Sequence, residues 1–265
     1  CDNGTDFSVS GHENYFKDGN FPKNYSLEIQ GADYVSTFVS EKFGLKGPSC
    51  TYSTACSSSA GAISKASELI RSGICDAVVA GGVDIASDTV LIGFNSLEAV
   101  SSEITNPFSK NRHGITIGEA AAFFVLTREK IDSDVQLLGF GESSDAYHMT
   151  SPDPSGEGAE KAMRTALKNA GLKAEEIDYI NLHGTGTKFN DGMEAKAVDK
   201  FFGNYKVSAS TTKPLTGHTL GAAGALELAI CHLTLCKNLS KSDKNVILPL
   251  QVWDGVRDDE LPSLN

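Results

Sequence analysis

Long apolar runs are missing from this sequence, and so is any excess of positive charge. No stretch approaches the roughly 18 apolar residues that span a bilayer. Residues 221–230 are apolar but short, and Glu227 interrupts them. Lys and Arg number 23 against 34 Asp and Glu, a net charge of −11. That balance excludes a broad nucleic-acid or anionic-membrane surface and leaves room only for a local basic patch facing a small acidic partner. No secretory-signal pattern occupies the opening residues. The six cysteines (Cys1, Cys50, Cys56, Cys75, Cys231 and Cys236) form no Cys-x-x-Cys pair and no Cys/His zinc spacing. They read as reduced thiols of a cytosolic protein, each by default a small buried apolar residue. Proline is sparse at 8 while glycine reaches 26, which suits an α/β enzyme with many tight strand-to-helix turns. Apolar residues at 40% and charged residues at 22% exclude disordered and fibrous classes.

The first 30 residues are polar and read as an irregular surface excursion. Residues 31–44 form a helical pattern with Ala32, Val35, Phe38 and Val39 on one face, closed by Gly44. Residues 49–55 read as a short strand and residues 57–72 as a helix with Ala60, Ile63, Ala66, Leu69 and Ile70 inward. Residues 76–82 then read as a buried strand, so the order strand, Cys56, helix, strand makes one βαβ unit. Residues 120–126 form another buried strand and residues 135–141 begin one more. The second half repeats this grammar: helix 160–170, strand 177–182, helix 191–202, strand 207–210, loop 212–217 and a small-residue helix 218–235. Two α/β halves joined near residue 130 fit the pattern, and no strict repeat relates them.

Three side chains stand out chemically. Cys56 falls between a strand's carboxyl end and a helix's amino end, where backbone N–H groups favour a thiolate and can face an oxyanion. His183 opens His183-Gly184-Thr185-Gly186-Thr187 just past a strand, where the glycines permit a sharp turn. His218 falls at another expected helix start, which disfavours imidazolium and suits a neutral ring with an Nε2 donor. Lys213 lies five residues earlier in the same loop. Glu227 is the one charge in the apolar run and needs a partner, for which Lys213 is the candidate. Taken singly, a structural thiol at Cys56 and a backbone-capped loop histidine at His183 remain open.

The ordered motifs carry a resemblance. They are Thr54-Ala55-Cys56-Ser57-Ser58, Ala80-Gly81-Gly82-Val83-Asp84, Pro107 through Gly114 with Gly118-Glu119, Ser144-Asp145-Ala146-Tyr147-His148, His183 through Thr187 with Asn190-Asp191 and Glu194, and Lys213 through Gly224. In this order and spacing the chain resembles the β-ketoacyl-acyl-carrier-protein synthases, the elongating condensing enzymes with a Cys-His-His triad. The resemblance implies an α/β, thiolase-like fold of two similar halves, each with a five-stranded mixed sheet between helices. Residues 1–130 would be the remainder of an N-terminal half carrying the nucleophile, and 131–265 a C-terminal half carrying the histidines and lysine. It implies that Cys56 takes an acyl chain as a thioester, and that His183 and His218 bind a malonyl thioester and assist its decarboxylation. Lys213 would support the pair, Glu227 would be its ion-pair partner, and Asp145 and Asp191 would have supporting roles. It implies no metal or organic cofactor, since the phosphopantetheine arm arrives with the acyl carrier protein, and a cytoplasmic homodimer. Family polypeptides are longer, with a preceding strand-and-helix block and a later Gly-Phe-Gly-Gly segment, so a fragment incomplete at both ends is expected. Asn106 replaces an Arg common in the matched motif, with no consequence assigned.

A thiolase would carry a second cysteine in a Cys-x-Gly segment, and none appears. The Cys-His-Asn subgroup is disfavoured by His218, a chain-length-factor partner by Cys56, and a decarboxylase-only relative by the lack of Gln at that position. The alternative from a different class is a non-catalytic or truncated relative that dimerises or binds carrier protein.

Overall fold

The computed structural model of the protein describes residues 5–129, 135–239 and 246–264. They form two compact units, each assembled from segments distant in sequence. The first gathers the described residues of Cys1–Leu97, Ile117–Arg128 and Thr219–Leu226. The second gathers those of Glu98–Thr116, Glu129–His218 and Glu227–Asn265. The expected junction near residue 130 lies outside the described residues.

The first unit opens with a helix, α1 (Thr5–Asp18), where an irregular excursion was expected. An aromatic stack holds it: Tyr15 on Phe21 at 4.8 Å and Phe21 on Tyr25 at 4.3 Å between ring centroids. The Tyr25 ring lies against the helix backbone at Gly11, where a Cβ would come within 2.2 Å of it. Val9, Tyr15 and Phe16 of α1 are exposed, Phe16 at 83%, so these side chains form no buried stripe. Helix α2 (Tyr34–Phe43) ends as expected at Gly44, which takes φ +63°.

Residues 49–55 form no strand. Only an isolated bridge joins Thr54 and Cys56, and the expected βαβ unit is therefore absent. An extended segment becomes a strand only where a neighbour completes its ladder. Helix α3 (Ser58–Arg71) follows, burying Ile63, Ala66 and Ile70 at helical spacing. Strand β1 (Ala77–Asp84) and, after α4 (Asp88–Ser96), strand β2 (Ala120–Thr127) pair antiparallel from Ala77↔Thr127 to Asp84↔Ala120. Both were expected to be buried on two faces, yet Phe123 and Val125 are exposed. Gly82 lets β1 lie flat between α3 and residue 222. A Cβ there would meet Ser59 Cβ at 2.7 Å and Ala222 Cα at 2.9 Å. Ser59 Oγ, in turn, accepts the Ala225 N–H at 2.9 Å.

The second unit contains α5 (Glu157–Ala170), β3 (Tyr179–Asn181), α6 (Lys188–Phe202), β4 (Ser208–Ser210) and a short helix α7 (Lys213–Thr216) where a loop was expected. Strands β3 and β4 pair in parallel, and α6 makes the crossover between them. Leu182, Val198, Phe202 and Val207 form the buried cluster beneath, joined by Phe108, Ile180 and Leu264. Each such side chain contributes about 1.5–3 kcal/mol on burial. Residues 135–141 form no strand among those described. Gly139 and Gly141 instead bring their backbone close against α5.

Helix α8 (Ala223–Leu239) starts later than expected, after a 3-10 turn at Leu220–Ala222. The described residues thus hold two two-stranded sheets rather than the five-stranded sheets expected. Leu220–Asn238 is long and apolar enough to cross a membrane by length and composition, which corrects the expectation that no run approaches that length. The stretch carries two charged residues, Glu227 and Lys237. Ala222, Ala223 and Ala225 in this stretch are buried.

Candidate active site

In the first unit, Cys56 stands two residues before α3 in a turn with short-range hydrogen bonds among residues 54–58. Ala55 takes φ +53°, a conformation unfavourable for a residue with a Cβ. Ser57 and Ser58 donate their N–H groups to Thr54 O at 3.3 Å and Ala55 O at 3.1 Å. Ser58 Oγ reaches Ala55 O at 2.6 Å and accepts the Thr54 N–H at 2.9 Å. The half-buried Cys56 is thereby presented at the amino end of a 14-residue helix, whose dipole stabilises negative charge.

In the second unit, β3 carries the chain to His183, and α6 fixes the loop that follows. Asp191 and Glu194 are one helical turn apart and share the face turned to that loop. Glu194 accepts the His183 N–H at 2.6 Å and the Gly184 N–H at 2.7 Å. Asp191, fully buried, accepts the Gly186 N–H at 3.2 Å and the Phe108 N–H at 2.8 Å. Gly184, at φ +38°, has no room for a side chain: a Cβ would meet Thr211 at 2.7 Å and the Phe108 ring at 2.9 Å.

The His183 and His218 rings meet edge to face, 5.1 Å between centroids and 85° between planes. Lys213, 1% exposed at the start of α7, places Nζ 3.3 Å from His183 Nδ1 and ion-pairs with Glu227. An ammonium only donates, so His183 Nδ1 accepts and its proton sits on Nε2. His218 is buried and donates its backbone N–H to Thr116 O at 2.7 Å. It lies before the 3-10 turn rather than at the start of α8, so the expected helix-end effect is not what acts on its ring. Burial first, then the Lys213 charge, lowers its pKa to about 3. The same causes, with His218 added, hold His183 well below the ordinary imidazole range. Both rings are therefore neutral donors at neutral pH.

The carboxylates move the other way. Burial pushes Glu194 up to about 7 against the pull of its two backbone donors, and raises Glu227 against the pull of Lys213. It raises Asp191 as well, despite the hydrogen bonds from Phe108 and Asn190. Cys231 is pushed to about 11 by burial and by Glu227, which suits an inert thiol.

Of the residues singled out in the sequence, the second unit brings together His183, His218, Lys213, Glu227 and Asp191. Asp145 is exposed and accepts the Asp153 N–H at 2.9 Å. Glu194 received no role from the sequence, although its spacing from Asp191 after a His-Gly-Thr-Gly-Thr loop is a readable signal.

Two sequence models of one family match this chain: Beta-ketoacyl synthase, N-terminal domain, over residues 5–131, and Beta-ketoacyl synthase, C-terminal domain, over residues 135–245. The chain belongs to the β-ketoacyl synthase family. A 3-oxoacyl-[acyl-carrier-protein] synthase 2 from Coxiella burnetii is 40% identical over 238 residues, 83% of this chain and 58% of that protein. A ketosynthase solved in complex with its chain length factor, from Xenorhabdus doucetiae, superposes with a TM-score of 0.90 at 42% identity, covering 98% of this chain and 63% of that one. A type II polyketide acyl-carrier protein in complex with its ketosynthase gives a TM-score of 0.78 at 25% identity, covering 97% of this chain and 69% of the matched one. The fold of this family member is thus thiolase-like. The chain spans little more than half the length of the curated relative it matches.

Proposed function

We propose that the protein is a 3-oxoacyl-[acyl-carrier-protein] synthase, acting in fatty acid or polyketide-type synthesis by decarboxylative condensation. Cys56 receives an acyl chain from its carrier as a thioester, releasing the carrier thiol. His183 and His218 donate hydrogen bonds to the carbonyl oxygen of a malonyl thioester. The carbon–carbon bond to the carboxylate breaks, carbon dioxide leaves, and the electron pair is held as an enolate. The enolate carbon then attacks the Cys56 thioester; a carbon–carbon bond forms, the carbon–sulfur bond breaks, and the Cys56 thiolate is released.

The single observation that carries this reading is the edge-to-face imidazole pair with Lys213 on His183 Nδ1. It leaves a neutral Nε2–H donor, which stabilises charge that develops on an oxygen without forming an over-stable salt with the substrate carboxylate. Capture of the acyl group on Cys56 removes much of the entropic barrier to condensation. Side chains and substrate supply all the protons and electrons, and the phosphopantetheine arm comes with the acyl carrier protein. A homodimer in a reducing compartment belongs to the same reading.

The test uses acyl-carrier proteins of several chain lengths with malonyl-carrier protein, followed by mass spectrometry of the protein and product. Acylation confined to Cys56 and a product longer by two carbons are expected. Carrier binding with no acylation would establish a non-catalytic carrier-binding partner instead.

A further inference from the structure

Three features of the second unit meet in one place that the reaction does not use. The first is the loop 105–116. It touches both histidine segments: Thr105 Oγ donates to Thr185 O at 3.0 Å, Gly114 N–H to Gly186 O at 2.9 Å, and Thr116 O accepts the His218 N–H. The second is a buried guanidinium in that loop. Arg112, 5% exposed, lies 3.8 Å from Asp191, which itself holds the Gly186 and Phe108 N–H groups. The third is the segment 249–258, which reaches back across some 145 residues of sequence to this loop.

The contacts of that segment are specific. Asp258 pairs with Arg112 Nη1 at 2.5 Å. Asp254 accepts Ser109 Oγ–H at 2.9 Å and Asn111 Nδ2–H at 2.8 Å, and its own N–H donates to Asn106 Oδ1 at 3.2 Å. Lys110 N–H donates to Val256 O at 3.0 Å. Gln251 Oε1 accepts the Thr211 N–H at 2.9 Å, two residues before Lys213, while its Nε2 donates to Pro107 O at 3.3 Å. Backbone and side-chain donors around Asp254 also keep its carboxyl at about 2, so it is a carboxylate at every working pH. Asn106, whose replacement of Arg had no consequence in the sequence, is one of the anchors.

We propose that Asp254 and Asp258 are positioning residues for the histidine pair, clasping the 105–116 loop that sets where His183 and His218 stand. Asp258 acts through Arg112 and Asp191 on the Gly186 backbone. Asp254 acts through Ser109 and Asn111 on the same loop, whose far end holds the His218 backbone. Charge-assisted bonds of this kind fix geometry more firmly than neutral ones, and small displacements at a reacting centre are costly. The kinetic part of this inference rests on the proposed condensing reaction; the geometric part does not.

The test compares Asp258→Asn, Asp254→Asn, the double variant and Asp258→Glu in the native protein. Three quantities are read: kcat and KM for malonyl-carrier decarboxylation per folded molecule, ring nitrogen shifts of His183 and His218 by NMR, and Tm. Asp258→Asn is expected to lower kcat about tenfold with KM within twofold, to shift both ring signals, and to be largely rescued by Asp258→Glu. The double variant is expected to lose more than either single one. Ring signals and kcat unchanged in the folded double variant would overturn the proposal. So would a kcat loss with no ring shift, or one that Asp258→Glu fails to restore. If Asp258→Asn does not fold, the surface-side Asp254→Asn decides by the same ring shifts. A parent protein that decarboxylates nothing removes the proposed reaction alone, because the ring shifts still decide the clasp.

Discussion

The turn at Cys56 and the cluster around His183 are both precise, but they are made precise in opposite ways. At the Cys56 turn, Thr54, Ala55 and Ser58 are tied by hydrogen bonds that reach no more than four residues in sequence. The histidine cluster draws its order from far away: 30 residues separate Lys213 from His183, 83 separate Phe108 from Asp191, and 146 separate Arg112 from Asp258. A locally closed turn forms wherever its helix forms. A cluster closed over long range exists only when the unit around it is folded, and it answers to every contact in that chain.

The comparison makes the two regions separable, and the largest expected effect tests that directly. Cys56→Ala should abolish acyl capture and condensation yet leave malonyl decarboxylation. His183→Ala and His218→Ala should cut decarboxylation by about 10²–10³-fold, the scale of a lost oxyanion donor, while Cys56 still accepts acyl groups. Radiolabelled carbon dioxide release and intact-protein mass spectrometry read the two activities separately. Loss of both in every variant would break the division.

Next comes the buried ion pair. Glu227→Gln strands the Lys213 ammonium, 1% exposed, and should cost about 3–5 kcal/mol in urea unfolding. Lys213→Met should cost less, because burial already raises the Glu227 pKa and its carboxyl can take up a proton. The double variant should cost less than the sum of the two.

Acid should affect the cluster more than the turn. His218 is held at about 3 when folded and returns to about 6.5 when unfolded, so the unfolded chain binds the extra proton and stability falls as pH drops between those values. Glu194 opposes this between its unfolded value of 4.5 and about 7, because its folded form binds more protons there. The net loss from this pair is therefore steepest between pH 4.5 and 3. His218→Gln should flatten that part of the Tm profile; equal slopes in both proteins would refute the assignment.

The smallest effect belongs to the turn. Ala55 sits at φ +53°, which costs about 1–2 kcal/mol, and glycine removes that cost while widening the unfolded ensemble by about 0.5–1 kcal/mol. Ala55→Gly should therefore stabilise by about 0.5–1 kcal/mol, read by urea unfolding, with the second unit unaffected.

The same contrast explains what could be read in advance. Helices α3, α5 and α6 and strands β1 and β2 were legible because their periodicity and glycine ends are local. The Lys213–Glu227 pairing was legible because one charge in an apolar helix demands a partner. Helix α1 was not, because its order comes from a ring stack between Tyr15, Phe21 and Tyr25 and not from a buried stripe. The segment 49–55 carried strand-like composition, but composition alone does not make a ladder, and among the described residues it holds only the isolated bridge from Thr54 to Cys56. Glu194 was passed over because its work is on backbone N–H groups, which no side-chain motif announces. The reach of Asp254 and Asp258 to residues near 110 has no sequence signal at all.

Gly82 has a consequence for how such a protein can diversify. Its strand is pinched between Ser59 and the backbone at residue 222, with less than 3 Å available on that side. No single-nucleotide route through alanine, serine or valine is open there, so lineages that reshape the packing of β1 against Ser59 and residue 222 must do so by changing what surrounds the pinch, never the pinch itself.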